Sequence, residues 1–167
     1  MSRTILSVED EQDTSTLLKG VLEREGYLVV RAADGRQAIC LIETMLPPAL
    51  ILLDVILPYV NGFELLTALR LNPDWKHVPI IMVSADSCTA DVERALALGA
   101  TDYVVKTTGI KDLVQKVRRV LSPTMVEKQA TGTDDAVPHV AVTPPRRRPK
   151  TRTRRPSPTK RKGGPIR

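Results

Sequence analysis

Apolar runs and helix-like stretches alternate five times along residues 1–121 of this 167-residue chain. Four of the apolar runs lack the polar alternation of a half-exposed strand, which is typical of parallel strands covered on both faces. The alternation predicts an α/β fold with a doubly wound parallel sheet, because right-handed crossovers place helices on both faces of such a sheet. The predicted strands are residues 4–8, 27–31, 50–53, 80–83 and 103–105.

The segments between these strands carry apolar residues at helical spacing. We expect the first helix to stop at Gly26 and the second before Pro47 and Pro48, since glycine favours a helix C-terminus and the residue before proline disfavours helix. The apolar positions assigned to the five helices are Leu17, Leu18, Val21 and Leu22; Ala38, Ile39, Ile42 and Met45; Phe63, Leu66 and Leu69; Val92, Ala95 and Leu96; and Ile110, Leu113, Val114, Val117 and Leu121.

Charge divides the chain into two parts. Residues 1–121 hold 13 Lys and Arg against 16 Asp and Glu, whereas residues 122–167 hold 12 against 3. The second part also holds eight of the 13 prolines and no aromatic residue. Such a composition buries too little apolar surface to offset the entropy of ordering. We therefore predict one folded domain, residues 1–121, followed by a disordered basic tail, residues 122–167.

The tail is a candidate for binding nucleic acid. Residues 146–162 carry ten Lys or Arg and no acidic residue, and arginine pairs with phosphate through two hydrogen bonds. Without aromatic residues for base stacking, binding would use the phosphate backbone and be nearly independent of sequence. The alternative is a solvated extension with no specific ligand. The candidate contacts are Arg146, Arg147, Arg148, Lys150, Arg152, Arg154, Arg155, Lys160, Arg161 and Lys162.

Cysteine usage and hydropathy bear on the cellular setting. Cys40 and Cys88 lack metal-ligand spacing and do not make a disulfide framework, which favours a reducing compartment. No apolar run approaches the ~20 residues of a membrane span. The N-terminus turns acidic too early for a signal peptide. We therefore expect a cytoplasmic protein without membrane insertion.

Polar side chains follow four of the apolar runs, at the points where predicted strands end. Glu9 and Asp10 follow the first run, Asp54 the third, Ser84 the fourth and Lys106 the fifth. The carboxyl ends of parallel strands share one edge of a sheet, so these side chains are expected to form one site. Taken singly, each is more often a cap, a turn residue or a solvated strand end. Together they suit a divalent cation such as Mg²⁺ and a phosphoryl group on a carboxylate.

Four motifs extend this interpretation: SVEDE, LLDVILP followed by NGFELL, IIMVSAD, and LGATDYVVK. Through them, residues 1–121 resemble the receiver domain of two-component response regulators. The resemblance implies a flavodoxin-like fold with five parallel strands in the order 2-1-3-4-5 and five helices. It implies a signalling switch rather than an enzyme, since a receiver catalyses only its own phosphoryl transfer and slow dephosphorylation.

The resemblance also implies a role for each acidic residue. Asp54 accepts a phosphoryl group from a phosphohistidine on a sensor histidine kinase. Asp10, Asp54 and the backbone carbonyl of Ile56 ligate Mg²⁺, while Glu9 acts through water. These roles agree with the general preference of Mg²⁺ for one or two carboxylates plus phosphate and water.

Three further residues carry over from the family. Lys106 and Ser84 stabilise phosphoryl oxygens, and Ser84 with Tyr103 forms a switch in which the hydroxyl moves to the phosphate and the ring turns inward. The sequence departs from the family pattern in two places: Tyr59 and Val60 stand in the loop after the third strand where a methionine-containing version is commoner, and Thr107 stands where a proline in a cis peptide bond is usual. A cis bond before a residue other than proline costs about 3–4 kcal/mol, so the Lys106–Thr107 bond could instead be trans and the loop rearranged.

The output of such a switch is open at the level of sequence. One hypothesis is a downstream protein that binds the face formed by the fourth helix, the fifth strand and the fifth helix. Another is a nucleic-acid-binding protein that uses the basic tail under control of the receiver. The third is a scaffold whose receiver acts independently of phosphorylation.

Overall fold

A computed structural model describes residues 2–122 of the chain. Its strands are β1 (Thr4–Val8), β2 (Leu28–Ala32), β3 (Leu50–Asp54), β4 (Ile80–Ser84) and β5 (Asp102–Val105). Its helices are α1 (Gln12–Arg24), α2 (Gly35–Thr44), α3 (Gly62–Leu71), α4 (Thr89–Ala97) and α5 (Ile110–Val120). A 3₁₀ turn, Lys106–Thr108, joins β5 to α5.

The strands pair in parallel in the order β2-β1-β3-β4-β5, which confirms the flavodoxin-like topology. Successive side chains of a strand point to opposite faces of the sheet, and an apolar core lies on each face. On β1, Ile5 packs in the core that α1 and α5 cover, and Leu6 in the core that α2, α3 and α4 cover. Because both faces are covered, β3 and β4 are buried at every position. This burial explains their unbroken apolar runs.

Two helix ends follow from local sequence. Gly26 adopts φ 88°, and the N–H groups of Gly26 and Tyr27 donate to the carbonyls of Glu23 and Leu22 at 3.0 and 3.2 Å. This arrangement satisfies the last carbonyls of α1 with a glycine in the left-handed region, as the sequence predicted. At the start of α3, the side chain of Asn61 accepts from Phe63 N–H at 2.9 Å.

The structure corrects several details of the sequence prediction. Strand β2 lies one residue later than predicted, and Met45 lies just beyond the end of α2. Leu17, Ile39 and Leu96 were assigned to buried helix faces but are 56%, 40% and 50% exposed. Each directly precedes or follows a residue that packs inward, and successive helical residues point about 100° apart, so these three side chains lie at the solvent-facing margin of their apolar stripes.

The described residues include no helix long and apolar enough to cross a membrane. The candidate nucleic-acid contacts at positions 146–162, and all of the predicted tail beyond Ser122, lie outside the described residues.

Candidate functional site

Four of the predicted site residues converge at the carboxyl edge of the sheet. Glu9 and Asp10 directly follow β1, and Asp54 ends the neighbouring strand β3. One carboxylate oxygen from each of these three residues lies within 4.8 Å of the other two. Lys106 follows β5, two strands away from β3, and its side chain reaches back to the same point.

The Lys106 ammonium group bridges two of the carboxylates. Its Nζ lies 2.6 Å from Asp54 Oδ2 and 2.8 Å from Glu9 Oε2. Burial alone would lower the pKa of Lys106, but the hydrogen bonds to Asp54 and Glu9 outweigh burial and raise that pKa above its ordinary value. The ammonium group is therefore held in its charged form. Sequence reasoning expected Lys106 near Asp54 but did not find its contact with Glu9.

The three carboxylates differ in their exposure. Glu9 is 1% exposed and Asp54 is 4% exposed, whereas Asp10 faces solvent. Burial raises the pKa of the Glu9 carboxyl, Lys106 opposes that rise, and the charge of Asp54 adds to it. Three acidic groups against one ammonium group leave an excess of negative potential. Such a set of oxygen atoms, open to solvent at Asp10, fits a hard divalent cation.

The loop after β3 is fixed against Asp54. The N–H of Ile56 donates to Asp54 Oδ1 at 3.0 Å, which orients the carboxylate and places the Ile56 backbone beside it. The loop returns at Gly62, whose N–H donates to the carbonyl of Val55 at 3.0 Å. A Cβ at Gly62 would lie 2.1 Å from the Asp54 carbonyl oxygen and 2.9 Å from Val55 Cα. Only glycine therefore lets α3 begin this close to the end of β3.

Replacing Gly62 by alanine is expected to lower the free energy of unfolding by about 3 kcal/mol, since the new methyl group would meet backbone rather than a movable side chain. Chemical denaturation would measure the change. Gly20→Ala is the matched control: Gly20 lies within α1 with nothing within 4 Å of its added Cβ, so it should stabilise by about 0.5–1 kcal/mol. Equal stability of Gly62→Ala and the wild type would contradict this account.

The middle of the same loop is strained. Tyr59 has φ 70°, and Val60 N–H donates to the Pro58 carbonyl at 2.9 Å across it, which makes a γ-turn around a residue other than glycine. The Arg36 guanidinium stacks on the Tyr59 ring, 4.2 Å from its centroid. The N-terminus of α2, which carries Arg36, therefore packs against this loop. The sequence suggested no role for Tyr59, and only the backbone angle shows the strain.

Ser84 and Tyr103 lie on neighbouring strands near this edge. The buried Ser84 Oγ accepts the N–H of Asp86 at 3.0 Å, and the Tyr103 hydroxyl donates to the Asp86 carbonyl at 3.3 Å. Tyr103 is 6% exposed and belongs to the core that α4 covers, and its burial raises the pKa of the hydroxyl. Asp86 thus contacts both predicted switch residues, a link that sequence spacing alone did not reveal.

The peptide bond between Lys106 and Thr107 is trans, and no cis bond occurs among residues 2–122. The sequence left open whether this bond is cis or trans, and in the structure it is trans. The 3₁₀ turn at Lys106–Thr108 accommodates the trans bond, and Lys106 still reaches Asp54 and Glu9.

Comparison with known proteins agrees with this geometry. The family model described as the response regulator receiver domain matches residues 5–118. Among curated proteins, the transcriptional regulatory protein CpxR of Escherichia coli is 36% identical over 138 residues, which are 83% of this chain and 57% of that protein. The phosphate regulon transcriptional regulatory protein PhoB of Rhizobium meliloti is 41% identical over 117 residues, 70% of this chain and 51% of that protein.

Among solved structures, the chemotaxis response regulator CheY4 of Vibrio cholerae has a TM-score of 0.68 and 30% sequence identity. The match covers 72% of this chain and 100% of that one. The chain spans about half the length of the curated relatives it matches. The match to the family model covers most of the described residues. The acidic cluster lies at the ends of β1 and β3, where the resemblance placed it. The chain therefore belongs to the family of response regulator receiver domains.

Proposed function

We propose that the chain is a phosphorylation-controlled switch of a two-component system, in which Asp54 accepts a phosphoryl group from a sensor histidine kinase. The observation that carries the proposal is the position of Lys106 Nζ, within 2.6 Å of Asp54 and 2.8 Å of Glu9. Positioning and charge neutralisation dominate phosphoryl transfer, and a buried carboxylate beside a fixed ammonium group supplies both. The chain would act on itself only, as a switch rather than an enzyme with other substrates.

Mg²⁺ is the cofactor proposed for this site. The cluster offers oxygen atoms only, and exposed Asp10 gives a hydrated ion access. Asp10, Asp54 and the backbone carbonyl of Ile56 would hold the ion, with Glu9 acting through water. When bound, Mg²⁺ neutralises charge on the carboxylates and on the incoming phosphoryl oxygens.

Asp54 would supply the nucleophile. One of its carboxylate oxygens forms a bond to phosphorus while the phosphorus–nitrogen bond of the phosphohistidine breaks. The electron pair of that bond returns to the imidazole nitrogen, and the ring takes up a proton. The N–H of Ile56 holds the carboxylate orientation, and the Lys106 ammonium group shifts from the carboxylate to a phosphoryl oxygen, which its flexible stem permits.

The readout would pass through Ser84 and Tyr103. The Ser84 hydroxyl hydrogen can donate to a phosphoryl oxygen, and that movement would break the contact between Ser84 Oγ and the Asp86 N–H. Asp86 also accepts from the Tyr103 hydroxyl and lies in the loop before α4. The change would therefore reach α4, β5 and α5, the face proposed to bind a downstream protein.

The direct test is labelling of the full chain with a small phosphodonor in the presence of Mg²⁺. Mass spectrometry should find one added phosphoryl group, in the peptide that contains Asp54, and the adduct should resist acid and hydrolyse in base as an acyl phosphate does. A phosphoryl group found on a different residue would reject Asp54 as the acceptor.

A second proposed function is nucleic-acid binding by the basic segment at residues 146–162. The observation that favours it is ten Lys or Arg without an acidic residue in that stretch. Curated relatives are named as transcriptional regulators, and one from Mycolicibacterium smegmatis as a DNA-binding response regulator. The match to that relative covers 71% of this chain and 50% of that protein, so its DNA binding is carried to this chain only as a proposal.

We expect the full chain to bind double-stranded DNA weakly and with little sequence preference. If ~6 cationic side chains contact phosphates, the logarithm of the binding constant should fall with the logarithm of salt concentration at a slope of about −5. Fluorescence anisotropy across salt concentrations would measure the slope. Truncation after Leu121 should abolish binding while labelling of Asp54 continues. A truncated chain that binds as well as the full chain would rule out this role for the segment.

A further inference from the structure

Thr108 closes the turn that carries Lys106. Its hydroxyl oxygen lies 2.8 Å from the carbonyl oxygen of Val105, the last residue of β5, and 3.2 Å from a carboxylate oxygen of Asp112 in α5. In the backbone of this turn, the Gly109 N–H donates to the Lys106 carbonyl at a long 3.3 Å. A side-chain bond of 2.8 Å thus ties the turn to the end of β5.

A hydroxyl carries a single hydrogen, so Thr108 cannot donate fully to both acceptors. The shorter distance assigns the hydrogen to the Val105 carbonyl. Val105 ends the strand and Lys106 begins the turn, so this bond fixes the backbone on both sides of Lys106. The preceding Thr107 is exposed, and among the described residues its side chain makes no hydrogen bond.

The end of the turn depends on Gly109. Its φ of 94° and ψ of 158° belong to a region that glycine alone occupies readily. The turn is thus specified by a hydroxyl at Thr108 and a glycine at Gly109, whereas the family pattern uses a proline directly after the lysine. All peptide bonds of the turn are trans.

We propose that Thr108 is a positioning residue for the phosphorylation of Asp54: by holding the turn to Val105, it keeps Lys106 Nζ between Asp54 and Glu9. The inference rests on the proposed function. Thr108 acts only through Lys106, because the groups proposed to hold Mg²⁺ lie at the ends of β1 and β3 and not on this turn. Loss of its hydroxyl should therefore slow phosphoryl transfer and leave Mg²⁺ affinity unchanged.

Thr108→Val tests this with little change in side-chain volume, and Thr107→Val is the matched control one residue away. Loss of one net hydrogen bond should lower the rate of Asp54 phosphorylation by about three- to tenfold in Thr108→Val. Thr107→Val should match the wild type, and Thr108→Ser should restore the rate. In a Lys106→Ala background, Thr108→Val should cause no further loss, since its effect passes through Lys106.

A second measurement does not require phosphorylation. In the full-length wild type, the contacts of Lys106 Nζ with two carboxylates should protect it from an amine-acylating reagent, and Thr108→Val should raise its acylation rate several-fold over Thr107→Val. If the wild type is not phosphorylated, the proposed function fails while this protection still tests the turn. An unchanged acylation rate, or an equal loss of phosphorylation rate with and without Lys106, would overturn the role of Thr108.

Discussion

Replacing Asp54 by asparagine is expected to abolish phosphorylation of the chain. An asparagine keeps the shape of the side chain and can still accept from Ile56 N–H and Lys106, but its amide is not a nucleophile toward a phosphoryl group. Labelling with a small phosphodonor and Mg²⁺, followed by phosphate-affinity electrophoresis, would show one shifted band in the wild type and none in the variant.

The fold should survive this change. Asparagine removes the ion pair with Lys106, but it also removes the repulsion between Asp54 and the neighbouring carboxylates of Glu9 and Asp10. These two effects oppose each other, so thermal unfolding of the variant should remain cooperative and near that of the wild type. Asp74→Asn is the control, because Asp74 is exposed and lies in the loop before β4, at the opposite edge of the sheet. A band shift that persists in Asp54→Asn would show that another residue accepts the group.

Much of the fold could be predicted because buried positions require apolar residues, and these are visible in the sequence. β3 and β4 are buried at every position, and unbroken apolar runs are what such strands require. The strand order was less accessible to this reasoning, since periodicity does not say which strands are neighbours. The order 2-1-3-4-5 came from resemblance to a family, and the structure confirms it.

The convergence of Glu9, Asp10 and Asp54 was predictable for a similar reason. Each lies within two residues of a strand end, and strand ends meet at one edge whatever the details of packing. The contact between Lys106 and Glu9 was not predictable, since it depends on how a long side chain crosses two strands. Lys106 begins the turn after β5, where Thr107, joined by a trans bond, stands in place of the usual proline.

The strained loop shows another limit of sequence reasoning. A residue with positive φ is usually glycine or asparagine, so nothing in the type of residue marks Tyr59 as the centre of a γ-turn. The turn is held by tertiary contacts: Arg36 stacks on the ring, and a Cβ at Gly35 would lie 2.5 Å from Val60. Such contacts join residues far apart along the chain, which local patterns do not record.

Replacing Asp10 by alanine is expected to abolish Mg²⁺ binding without weakening the fold. Asp10 is the exposed member of the acidic cluster and is proposed as a direct ligand, so no other side chain of the cluster can take its place toward solvent. Its removal also relieves repulsion among the carboxylates. Without Mg²⁺, the variant should therefore unfold at a temperature equal to or above that of the wild type.

When Mg²⁺ is added, the wild type should become more stable than Asp10→Ala. An ion that binds only the folded state stabilises it by about 2.7 kcal/mol at a concentration 100-fold above its dissociation constant, so the melting temperature of the wild type should climb with Mg²⁺. Asp10→Ala should show no such rise, and Asp74→Ala, which removes an exposed carboxylate elsewhere, should follow the wild type. Glu9→Gln should retain a smaller rise, because Glu9 is proposed to act through water. If Asp10→Ala gains as much stability from Mg²⁺ as the wild type does, the ion binds somewhere other than the proposed site.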